Sequence, residues 1–93
     1  MVLVAAYTVR IIIFDSHSLK SKRSVIKSIK ERLRNKFNVS VAEVEYHDKH
    51  NYAEIGIAAI STKNRHLDEV FGKIMTFLES DLRFEVVEAQ RVI

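Results

Sequence analysis

The strongest constraint on this chain is the way its apolar period switches along the sequence. From Val2 to Phe14 every odd position is apolar: Leu3, Ala5, Tyr7, Val9, Ile11 and Ile13. The even positions are mixed, running Val2, Val4, Ala6, Thr8, Arg10, Ile12 and Phe14. A period of two, rich in β-branched residues, predicts a strand buried on one face and partly covered on the other. From Leu19 the period becomes helical, with Leu19, Ile26, Ile29, Leu33 and Phe37 on one stripe. Asp15, Ser16 and Ser18 precede it and offer capping chemistry.

Alternation returns over Asn38–Tyr46, where the phase slips between Val41 and Val44 and predicts a bulge. His47–Asn51 is polar and reads as a turn, and Ala53–Ile60 is the next strand, so the two strands form a hairpin. Its Ile55 and Ile57 share one face, and Gly56, Ala58 and Ile60 the other. Thr62–Asp81 is a second amphipathic helix, and Arg83–Val92 a last strand whose mixed charges suit a sheet edge. The order is βαββαβ, an α+β ferredoxin-like plan with one four-stranded antiparallel sheet and two helices on one face. At 93 residues, the chain suits a single domain of that kind.

Composition removes several function classes. The two glycines, Gly56 and Gly72, are too far apart for a phosphate-binding loop, a dinucleotide fingerprint or a nucleophile elbow. The absence of cysteine removes disulfides, zinc ribbons, redox pairs and iron–sulfur clusters. No apolar run approaches a membrane span, and Val2–Phe14 lacks a basic leader, so the expected location is cytoplasmic.

Charge is distributed unevenly. Between Ser16 and Ser40 stand eight basic residues and one acid, Glu31, while the rest of the chain has seven basic and eleven acidic residues. At ~100° per residue, Lys20, Arg23, Lys27, Lys30 and Arg34 fall within an arc of about 80° beside the apolar stripe. They form a basic ridge roughly 21 Å long. Its four adjacent like-charge pairs cost roughly 1–2 kcal/mol together. Lys20, Lys22 and Arg23 also crowd the positive end of the helix dipole. A solvated face ordinarily mixes glutamate among its lysines, so the ridge points to polyanion binding, and Lys22 on the same helix is counted with it.

Other chemistry is sparse. Asp15 at the end of the first strand reads as a cap or turn residue. The run IIIFD before a basic helix is also similar, over roughly twenty residues, to the small CRISPR-associated ferredoxin-like nucleases. That similarity implies an alternative in which Asp15 serves a metal-dependent nuclease. His47 and His50 flank Asp48, but HDKH has no ligand spacing of a closed metal site and no evident third ligand. His66 reads as a surface residue. No metal and no cofactor are expected. The outer positions of the two central strands carry no aromatic before Phe14, which disfavours an RNA-recognition-motif platform and suits burial against another sheet.

The run His17–Val44, HSLKSKRSVIKSIKERLRNKFNVSVAEV, resembles the YlxP-like family of small bacterial proteins. The resemblance extends over nearly the whole chain and implies a ferredoxin-like fold, no established enzymatic activity and a role around the ribosome. The motif positions it singles out are His17, Ser18, Leu19, Lys20, Lys22, Arg23, Arg32 and Arg34. The resulting expectation is a non-enzymatic protein that binds RNA, ribosomal RNA or a ribosomal particle, through Lys20, Lys22, Arg23, Lys27, Lys30 and Arg34. A homodimer is expected through the open sheet face. An assembly or regulatory module that meets an acidic protein is the further alternative.

Overall fold

The computed structural model describes all 93 residues as β1 (Leu3–Ile13), α1 (Leu19–Lys36), β2 (Ser40–Glu45), β3 (Tyr52–Ser61), α2 (Asn64–Glu79) and β4 (Phe84–Arg91). The four strands form one antiparallel sheet in the order β2-β3-β1-β4. The ferredoxin-like plan is therefore the observed one, and β2 and β4 are its edges.

Alternation decides which face is buried. Ala5, Tyr7, Val9, Ile11 and Ile13 of β1 are buried beneath the helices, as are Ala53, Ile55, Ile57 and Ala59 of β3. They pack with Ile26, Ile29 and Leu33 of α1 and with Leu67, Ile74 and Leu78 of α2. Tyr7 stacks on Phe71 with ring centroids 3.9 Å apart and donates its hydroxyl proton to the carbonyl of Leu67. Burial raises the pKa of that phenol, with Arg91 opposing the shift and Asp68 adding to it. The opposite face carries Val4, Ala6, Thr8, Arg10 and Ile12 of β1, in register with Ile60, Ala58, Gly56, Glu54 and Tyr52 of β3.

The bulge in β2 falls at Val44, between Glu43 paired with Ile55 and Glu45 paired with Glu54. Val44 then lies over Gly56, where a Cβ would stand 2.8 Å from Val44 Cγ1. A second irregularity occurs in β4 opposite Arg10 and Ile11. The mixed charges of β4 concealed that one, because they gave no phase to follow. Ser18 caps α1, its hydroxyl accepting from the Ser21 amide at 3.0 Å. Asp15 is instead a turn residue with φ 55°, a left-handed conformation that aspartate tolerates better than most side chains.

Candidate nucleic-acid interface

The basic side chains of α1 separate into two sets. Lys22 leaves the binding set expected from charge alone. It is 1% exposed, and its ammonium donates to the carbonyl oxygens of Tyr46 at 2.6 Å and of Lys49 and Tyr52 at 2.7 Å. Glu43 Oε2 lies 2.8 Å away. The signal was in the helical phase. At ~100° per residue, Lys22 sits about 20° from the centre of the apolar stripe and about 120° from the centre of the ridge. A lysine on an apolar stripe is a buried lysine, and it needs acceptors. Ser16, also buried, donates to the carbonyl of His50 at 2.5 Å. Lys22 and Ser16 together fasten the β2–β3 turn to the start of α1.

Two further cations serve the fold. Arg32 lies 3.5 Å from Asp81 and over the ring of Phe77. Lys36 also stands over that ring, 5.2 Å from its centroid. Asp81 accepts from Arg83 Nη2 at 2.6 Å and from the Arg83 backbone N–H at 2.9 Å. Hydrogen bonding from Arg83 holds the Asp81 carboxyl below its ordinary range, although partial burial opposes this. Arg83 in turn donates to Ser28 Oγ of α1 at 3.0 Å.

The remaining set converges. Arg23, Lys27, Lys30 and Arg34 line a single groove of about 660 Å³ between α1 and the edge strand β2, with Ile26, Glu31, Ala42, Glu43 and His47. The ridge is one wall of that groove. Lys20 is exposed but lies outside the groove lining, and His17 is exposed at the helix start. Arg34 Nη2 donates to the carbonyl of Val41 at 3.0 Å, and His47 Nε2 lies 3.1 Å from the carbonyl of Glu43, to which it donates as the Nε2–H tautomer. The turn residue His47, read from sequence as a plain polar position, therefore belongs to the groove. Asp15 is exposed and lies apart from it, and no three His, Asp or Glu side chains stand together as a metal-binding group.

On the open sheet face Arg10 donates to Glu54 at 2.9 Å and to Glu88 at 3.2 Å, a row that crosses three strands. Those carboxylates, Glu54 foremost, raise the guanidinium's pKa further. Tyr46 and Tyr52 meet edge to face at 4.7 Å beside Arg10. The strand boundary read from sequence stopped at Ala53 and so missed Tyr52.

No helix is long and apolar enough to cross a membrane. Comparison with known structures finds the periplasmic domain P4 of SecDF in solution, with a TM-score of 0.44 and 11% identity over 96% of this chain and 88% of that one. Among curated proteins, the uncharacterized protein YlxP of Bacillus subtilis (strain 168) is 41% identical over 69 residues, covering 74% of this chain and 75% of that protein. Residues 4–91 match the family described as "Protein of unknown function (DUF503)". On that near-complete match and the YlxP identity, the chain is a member of the DUF503 family.

Proposed function

We propose that this protein is a non-enzymatic RNA-binding protein that holds phosphates against the basic flank of α1. The observation that carries the reading is the convergence of Arg23, Lys27, Lys30, Arg34 and His47 on one groove. Of the other four cations of the helix, Lys22, Arg32 and Lys36 are turned to structural contacts, and Lys20 stands exposed outside the groove. Like charges held together along one flank cost stability, and a polyanion relieves that cost by neutralising them. Ribosomal RNA or a ribosomal particle in the cytoplasm is the proposed partner, a choice that rests on the family resemblance. Crosslinking in cells, followed by sequencing of the copurified RNA, tests it. Enrichment of ribosomal RNA supports the reading. Divalent-metal-dependent RNA cleavage lost in Asp15→Asn would replace it with the nuclease, and retention of an acidic protein despite excess RNA would replace it with an assembly module.

The same reading includes a second copy on the open sheet face. Val4, Val44 and Ile60 stand exposed around a shallow depression of about 400 Å³ whose floor includes Ala6, Gly56 and Ala58. One surface thus carries both knobs and hollow, as a two-fold contact requires. With strands ~4.8 Å apart and ~3.3 Å per residue, the face covers roughly 600–700 Å² per copy. Two copies then bury about 1,200–1,400 Å², the lower part of the range for a specific interface. Arg10 is paired within its own chain to both Glu54 and Glu88, so covering the row leaves no cation unpaired.

A further inference from the structure

We infer that the groove between α1 and β2 takes a single RNA strand in preference to a duplex; this rests on the phosphate-binding reading and names its substrate class. The first reason is the second wall. The ridge cations face the edge of β2 across a groove that also includes Ala42, Glu43 and His47. A duplex is a broad cylinder, and a groove walled by a helix on one side and a strand on the other suits a single strand better than such a cylinder. The major groove of A-form RNA is deep and narrow, so α1 has no route into it. A lone strand fits between the walls with its phosphates against the ridge, the arrangement by which positively charged grooves track single strands.

The second reason is the hydrogen-bonding character of the β2 wall. The carbonyls of Val41 and Glu43 are covered by Arg34 and His47. At these two positions the strand edge therefore offers no free carbonyl, and Arg34 and His47, which cover them, bring donors to the groove. Phosphate oxygens accept from donors. An added peptide strand would need the carbonyls as well, and finds them taken. Glu43 lies against Lys22 at 2.8 Å, so Glu31 is the one carboxylate of the lining without a cationic partner.

From Arg23 to Arg34 the helix rises roughly 16 Å at ~1.5 Å per residue. No aromatic ring other than the His47 imidazole lines the groove, so recognition is of backbone rather than of base.

The test is fluorescence anisotropy of the full chain with a ten-nucleotide oligouridylate, and with a ten-base-pair RNA duplex at the same salt. The oligouridylate is expected to bind at least tenfold more tightly, and Lys27→Gln/Lys30→Gln to weaken it tenfold or more with the fold retained by circular dichroism. Duplex binding as tight or tighter, lost in the same variant, overturns the single-strand inference and leaves phosphate binding standing. Failure of both RNAs at low salt overturns the two together. An acidic peptide that competes with the oligouridylate at equal concentration overturns the inference as well, since the β2 wall would then be open to a strand.

Discussion

Lys22 Nζ and Glu43 Oε2 lie 2.8 Å apart as a buried ion pair, and the same ammonium donates to three backbone carbonyls. The three carbonyls of the β2–β3 turn take the protons, and the carboxylate compensates the charge. Within the run His17–Val44, Ser18 caps the helix and Lys22 fixes the turn that presents His47 to the groove. Part of that run is therefore architecture that positions a surface, rather than the surface itself.

Lys22→Met should destabilise the protein by about 3–5 kcal/mol, the range for breaking a buried pair and leaving its partner unpaired. Urea denaturation should show the loss, and Lys27→Met on the same helix should stay within about 0.5 kcal/mol of the parent. Adding Glu43→Leu to Lys22→Met should recover part of the loss by removing the stranded carboxylate, though the three carbonyls stay uncapped. Equal midpoints for Lys22→Met and Lys27→Met would contradict the assigned role.

Acid should weaken the contact between Asp81 and Arg83. The Asp81 carboxyl is held below its ordinary range when folded, so the unfolded chain takes up its proton first. The stability it contributes is complete above a pH of about 4 and is lost as pH falls through the lower folded value. Asp81→Asn should cost about 1–2 kcal/mol at neutral pH. It should also flatten the acid limb of a plot of Tm against pH. An acid limb unchanged in that variant would show that other carboxylates dominate.

Salt should report how many cations touch RNA. Four groove contacts with a single strand predict a slope of log affinity against log salt of roughly −2.8, and Lys27→Gln/Lys30→Gln should flatten it by about 1.4. The variant's melting temperature should stay level or rise slightly, because like-charge strain is relieved. An unaltered slope would return the groove to an ordinary solvated surface.

Sedimentation should give a mass of twice 10.8 kDa at tens of micromolar protein. Ala58→Glu, which places a charge on the floor of the open face, should restore the single-chain mass with unchanged circular dichroism. A parent that already sediments as one chain would remove the second copy.

The two glycines should respond in opposite directions to alanine. At Gly56 the new Cβ meets Val44 Cγ1 at 2.8 Å, so the bulge has to shift, and a cost of about 1–2 kcal/mol is expected. Adding Val44→Ala should relieve most of it. At Gly72 in α2 nothing lies within 4 Å, and the change should stabilise by about 0.5–1 kcal/mol through helix propensity. Thermal melts of the three variants check all of this.

The order of elements, the buried face of each strand and the clustering of charge on α1 were legible in the residues, because period and side-chain type are local properties. Leu3 to Ile13 announced a one-sided strand, and Leu19 to Phe37 announced a helix with one apolar stripe. Lys22 was legible in part: its phase placed it on that stripe, while its charge suggested the surface. Which of these wins depends on whether acceptors are waiting, and the acceptors lie 24 to 30 residues away in the chain. The groove is likewise a tertiary product. Four of its cations come from one helix, but its second wall, its His47 and the covered carbonyls of Val41 and Glu43 come from an edge strand that the sheet order brings alongside. A helical period tells which residues share a flank and says nothing of what that flank faces. Only the packing of α1 against β2 turned a row of like charges into a groove lined with donors.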